Sequence, residues 1–231
     1  MIFLYFCGML SVTEENYLKA LYKLSDGTNK SVNTNALADV LKSTPASVTD
    51  MIKKLHEKKL VDHVKYKGAN LTQDGAKLAL SIIRRHRIWE VFLVEKLKFS
   101  WDEIHEIAEE LEHIDSDLLI ERLDVFLGFP EIDPHGDPIP SADGLIRPIA
   151  AVPLPEINNF QHPWRVCAVT EDDTDFLRLL TRMGIALGTV LHIVEHHPFD
   201  DSYVVKIASS STEMLITSKV AHNLLVKKVT R

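Results

Sequence analysis

Seven of the ten prolines in this 231-residue chain fall between Pro130 and Pro155, and the hydrophobic pattern differs on the two sides of them. Upstream, apolar residues recur at helical spacing. Downstream, short β-branched runs are bounded by turn residues. Proline breaks both helix interiors and sheet ladders, so no single layer of structure can run through that stretch. The expectation is a mainly α chain with a C-terminal β domain, divided as 9–75, 76–140, a proline-rich linker over 141–161, and a small β-barrel over 162–231. Hydrophobic residues make up 45% and charged residues 26% of the chain, which argues against bulk disorder. No run approaches the roughly 20 apolar residues that cross a bilayer, so no membrane partner is expected. The apolar opening, Met1 to Gly8, lacks a positive leader and reads as a start-site extension or a small apolar flap. Cys7 and Cys167 lie far apart, which fits a reducing, cytoplasmic setting better than a disulfide framework.

The first 75 residues carry an ordered set of signals. Residues 12–25 place Tyr17, Leu18, Leu21, Tyr22 and Leu24 at helical spacing, with Thr13 as the expected cap. A second helix is expected over 33–41 and a third from Pro45, which suits a first helical turn, to about residue 59. Two short strands follow, around a turn at Lys67-Gly68-Ala69-Asn70. Helix, helix-turn-helix and hairpin in that order define a winged helix-turn-helix. The polar side of the third helix offers Thr44, Ser47, Thr49, Lys53 and Lys54 to a DNA groove, while Lys65 and Lys67 of the turn would meet phosphate. Further helices are expected over 76–98, from 101 to 112 and onward, and over 115–127. Strands are expected over 164–169, 189–194, 203–207, 214–216 and 224–229.

Charge divides along the same lines. Between Lys42 and Arg87, eleven lysines and arginines stand against four carboxylates. Between Ile88 and Asp137, three stand against fifteen. A basic module for an anionic polymer therefore adjoins an acidic module suited to cations.

Within the acidic module, His105, Glu109, Glu112 and His113 fall at i, i+4, i+7 and i+8, one stripe at about 100° per residue. Ile104, Ile107, Ala108 and Leu111 form an adjacent apolar arc, so the stripe borders a buried face. Carboxylates there need a cation, and no lysine or arginine occurs between Lys98 and Arg122. The preceding helix adds His86 and Glu90, again four apart. Oxygen and imidazole donors without thiolate suit Mn²⁺ or Fe²⁺.

These pieces resemble the diphtheria toxin repressor and manganese transport regulator family of metal-dependent repressors. The resemblance rests on Glu15-Asn16-Tyr17-Leu18, Pro45-Ala46-Ser47-Val48-Thr49, Leu71-Thr72 with Gly75, Arg85-His86-Arg87 with Glu90, Glu109-x-x-Glu112-His113, and Gly136-Asp137-Pro138-Ile139-Pro140. It covers residues 9–140 and extends more loosely to a C-terminal SH3-like domain. It implies a principal metal site of His86, Glu109, Glu112 and His113 with Asn16 from the first helix. It implies an ancillary site of His86, Glu90 and His105, to which Glu171 is the expected addition. Glu109, where iron-sensing members have cysteine, points to Mn²⁺, with Fe²⁺ the alternative and Zn²⁺ a substitute in vitro. Lys19, where some manganese members have a further glutamate, argues against a closely spaced pair of ions.

The function implied is a repressor of metal-ion homeostasis, binding a palindromic double-stranded operator as a homodimer through an apolar surface around Leu118, Leu119, Leu123, Val125 and Phe126. Two other classes stay open: a winged-helix regulator whose acidic module only dimerises, without metal, and a metalloenzyme.

Overall fold

The structure is a computed structural model that describes residues 10–28, 30–64, 68–210 and 212–229. It divides into two compact units. One holds the chain through Trp89 together with Ala108–Gly128 and Pro140–Ile146. The other holds Glu90–Ile107, Phe129–Ile139 and the chain from Arg147 onward. The segments of the middle region are shared between the two units.

In the first unit, helix α1 spans Val12–Leu24. Its cap is Ser11 rather than Thr13, because Glu14 stands three residues later and closes a reciprocal capping box. Helices α2 (Thr34–Val40) and α3 (Pro45–Glu57) begin at Asn33 and Thr44, whose side chains accept from backbone amides. Strands β1 (Val61–Val64) and β2 (Gly68–Leu71) pair antiparallel, and Val32 bridges to Ala69 to add a third edge. Leu18, Leu21, Leu37, Val48, Ile52, Leu55 and Leu60 fill the core between these elements. This is a winged helix-turn-helix, as its element order implied. The start-site reading of the first eight residues, and the phosphate contacts assigned to Lys65 and Lys67, fall outside the described residues.

Helix α4 (Gln73–Glu95) starts where Thr72 Oγ1 accepts from the Gly75 amide, and the boundary between the units falls within it, after Trp89. Helix α5 is short, His105–Leu111, and α6 runs Asp117–Leu127 from Ser116 to a left-handed Gly128. On α6, Ile120 and Leu123 are buried, while Leu118, Val125 and Phe126 are each about 60% exposed (63%, 60% and 62%).

The second unit is built on a six-stranded antiparallel sheet. Its strands are β3 (Val152–Pro153), β4 (Trp164–Val169), β5 (Val190–His197), β6 (Ser202–Ile207), β7 (Glu213–Ile216) and β8 (Leu224–Lys228). Their order is β3-β8-β4-β5-β6-β7. Register breaks between Val166 and Ala168 and between Ile193 and Glu195 curl the sheet toward the SH3-like form. Helix α7 (Thr174–Arg182), which the sequence reading left out, places Leu177 and Leu180 in its core. Helix α8 (Ser218–His222) adds Val220 and Ala221. Part of the expected linker also belongs here, since Val152–Pro153 pairs with β8 and Leu154 and Ile157 are buried.

The Glu14 carboxylate, 1% exposed, links α1 to α3 through Lys58 (2.7 Å) and Lys54 (3.4 Å). Burial alone would raise its pKa. The hydrogen bonds from Lys58 and the Ser11 amide, with the charges of Lys58 and Lys54, bring it from 4.5 down to about 2. A depressed carboxylate stabilises the fold above its unfolded pKa and loses that contribution as pH falls from 4.5 toward 2. Glu14→Gln is therefore expected to cost about 2 kcal/mol at neutral pH. Urea melts at pH 7 and pH 3 check this, the difference from wild type narrowing at the lower pH.

Candidate metal centre

Three elements of the first unit converge on one cluster of donors. Helix α4 supplies His86, α5 supplies Glu109, and the turn after α5 supplies Glu112 and His113. One donor atom each from His86, Glu109 and Glu112 lie within 4.8 Å of one another. Glu112 is the centre of the cluster and is 0% exposed. Its Oε2 is 2.7 Å from His86 Nδ1, its Oε1 is 2.7 Å from Lys19 Nζ, and the same Oε1 is 3.7 Å from His113 Nε2. Burial alone would raise the Glu112 pKa, but the His86 hydrogen bond and the Lys19 and His86 charges hold it below the ordinary carboxylate value.

The His113 imidazole is oriented by groups outside the cluster. His113 Nδ1 is 2.5 Å from Glu15 Oε2, and Glu15 Oε1 is 2.9 Å from the Arg85 guanidinium. With Nδ1–H donated to Glu15, the lone pair of His113 Nε2 points toward Glu112, the usual way a second carboxylate orients a ligating histidine. Helix α1 brings Glu15, Asn16 and Lys19 to one face, at i, i+1 and i+4. The Asn16 Oδ1 is buried without a hydrogen-bond partner among the described residues, an unspent oxygen donor. Two carboxylates, imidazole nitrogen and an amide oxygen are a donor set that fits a divalent ion of intermediate hardness.

Helix α5 ends at Leu111, so Glu112 and His113 sit in the terminating turn rather than inside a helix over 101–112. His105 belongs to a second cluster, in the other unit. There Glu90, Asp133 and His135, all buried, bring donor atoms within 4.8 Å. His135 Nδ1 is 3.5 Å from Glu90 Oε1, and His105 Nδ1 is 4.0 Å from that same oxygen. His135 Nε2 lies 2.8 Å from the Trp101 carbonyl oxygen, to which it donates. That contact holds the ring with Nδ1 facing the Glu90 carboxylate.

Sequence reasoning missed Asp133 and His135, although Asp133-Pro134-His135-Gly136-Asp137 carries the signal of a tight turn with two donors. The Asp133 carboxylate accepts from the His135 and Asp137 amides and builds that turn. Glu171, the expected addition, is exposed. Its neighbour Asp172 places Oδ2 3.7 Å from His105 Nδ1.

On the reader helix, Thr44, Ser47 and Lys53 are exposed, and Thr49 is half-buried with its hydroxyl returned to the Pro45 carbonyl. Thr44 and Ser47 share a 2.9 Å hydrogen bond at the helix cap. Lys53 pairs with Asp50 in water, while Lys54 is shared with Glu14 and so contributes less free positive charge than its position suggested.

These features define a metal-responsive DNA-binding regulator. Family models match along the chain: the iron dependent repressor N-terminal DNA binding domain at residues 9–69, the iron dependent repressor metal binding and dimerisation domain at 72–141, and the FeoA domain at 161–228. An HTH-type transcriptional regulator of Methanocaldococcus jannaschii is 36% identical over 118 residues, 51% of this chain and 94% of its own. The diphtheria toxin repressor of Corynebacterium glutamicum is 25% identical over 94% of this chain and 96% of its own. A solved manganese-dependent transcriptional repressor in complex with manganese superposes with a TM-score of 0.83 at 34% identity, over 94% of this chain and all of that one (100%). The chain belongs to the iron-dependent repressor family of metal-dependent transcriptional repressors.

Proposed function

We propose that this protein is a metal-activated repressor of metal-ion homeostasis, with Mn²⁺ as its principal activator and Fe²⁺ the alternative. The observation that carries the reading is the convergence of His86, Glu109 and Glu112 within 4.8 Å, with the unpartnered Asn16 oxygen on the helix that also carries Glu14 to the reader helix. Asn16, His86, Glu109, Glu112 and His113 would hold the principal ion, and Glu90, Asp133 and His135, with His105 and Asp172 beside them, a second. A bound divalent ion supplies two positive charges that neutralise the Glu109 and Glu112 carboxylates.

The chain's own residues transmit the state of the site. Glu15 grips His113 and Arg85, Lys19 reaches Glu109 and Glu112, and Glu14, one residue before Glu15, grips Lys58 and Lys54 of the reader helix. Helix α1 is therefore a short rod between donors and reader, and a few kcal/mol of preference for one placement of α1 suffices to switch populations. The exposed Leu118, Val125 and Phe126 face of α6 is the proposed homodimer surface, setting two reader helices over the half-sites of a palindromic operator in the cytoplasm.

The manganese bound by the solved relative supports Mn²⁺ first, and Glu109, a hard oxygen donor in place of thiolate, supports the same choice. Fluorescence anisotropy of a palindromic promoter fragment tests the reading at fixed salt. Binding is expected with Mn²⁺ and lost in chelator. Binding unchanged by chelator would make the acidic module a dimerisation scaffold and this a metal-independent regulator.

A further inference from the structure

Lys19 is the one feature of the donor cluster that a metal site does not need. Its residue is 7% exposed, and its ammonium lies 2.5 Å from Glu109 Oε1 and 2.7 Å from Glu112 Oε1. Those are the two carboxylates whose charge a divalent ion would take up. Oxygen ligands approach such an ion to roughly 2.0–2.6 Å. An ion coordinated by both carboxylates therefore occupies the region the ammonium now fills, and two cations at that separation repel strongly in a site screened from water. Lysine is well suited to the exchange, since its ammonium rides on a flexible four-carbon stem and can swing outward.

We propose that Lys19 is a built-in competitor for the principal site, a tethered cation that a divalent ion must displace, so that it sets the metal concentration at which the protein responds. The charge balance favours exchange only when metal is abundant. Lys19 offsets one of the two carboxylate charges, a divalent ion offsets both, and Asn16 adds an oxygen without adding charge. Lys19 also fastens α1 to the Glu109–Glu112 segment across 90 and 93 positions of sequence. The inference deepens the metal-activated reading of this same site and rests on it.

The test compares wild type with Lys19→Met, which keeps the length of the stem and removes the charge. Isothermal titration with Mn²⁺ is expected to show the variant binding at least tenfold more tightly at the principal site. In chelator the variant is expected to melt at a lower temperature, and saturating Mn²⁺ should close that gap. A second measurement needs no variant: lysine acetylation of the wild-type chain, mapped by mass spectrometry, should find Lys19 protected in chelator and reactive with Mn²⁺. Equal Mn²⁺ affinity in the two proteins, or Lys19 equally protected in both conditions, overturns the competitor role while leaving the metal site standing. Absence of Mn²⁺ binding by wild type and variant alike overturns the metal-activated reading itself, and the competitor role with it.

Discussion

Glu112→Ala is expected to abolish metal-dependent operator binding, lowering Mn²⁺ affinity by more than about 100-fold. The expectation follows from where the carboxylate sits. Glu112 is fully buried and touches His86 through one oxygen and Lys19 through the other, so no neighbour can replace it by a small shift. Its removal also strands the Lys19 ammonium beside Glu109 alone, and breaking a buried pair at one partner costs about 3 kcal/mol. Operator anisotropy with and without Mn²⁺, run well below the melting temperature, separates lost ligation from lost fold. Glu109→Ala and His113→Ala are expected to act in the same direction. A Glu112→Ala protein that still bound operator only with metal would defeat the assignment of this cluster as the principal site.

Gly136→Ala is expected to dismantle the second cluster while sparing the first. Gly136 adopts φ +92°, a backbone conformation that side chains resist, and a Cβ there would collide with the Cys167 carbonyl oxygen and with Ala168. Neither obstacle is a flexible side-chain tip. The turn from Asp133 to Asp137 must move away from β4, and with it the Asp133 carboxylate and the His135 imidazole that face Glu90. Left-handed strain and backbone displacement together are expected to cost about 3 kcal/mol in the second unit. Metal stoichiometry, read by titration, should fall from two ions per chain to one, with the principal affinity retained. Retention of two ions would mean that Asp133 and His135 do not bind metal.

Local periodicity carried far in this chain. The winged helix-turn-helix was legible because Asn33, Thr44 and Pro45 are start signals read by the backbone next to them, and because Leu18, Leu37, Ile52 and Leu55 recur on one face of their helices. Even there, the cap expected at Thr13 falls at Ser11, where the reciprocal contact with Glu14 closes the box. The β strands of the second unit were legible from β-branching and turn residues. Helix α7 was missed because nine residues between two strands give a short amphipathic signal, visible in hindsight as Asp173 followed by Leu177 and Leu180.

The sequence by itself determined the architecture, the charge division and the donor types, since each depends on neighbours along the chain or on composition. Tertiary structure decided which donors meet. It ended α5 at Leu111, set Asp172 beside His105, and brought Asp133 and His135 to Glu90. It also supplied the cation that the acidic segment lacked. Lys19 comes from α1, some ninety residues away (a separation of 90 to Glu109), and contacts at such distances are set by how whole elements pack rather than by any pattern a local stretch can hold.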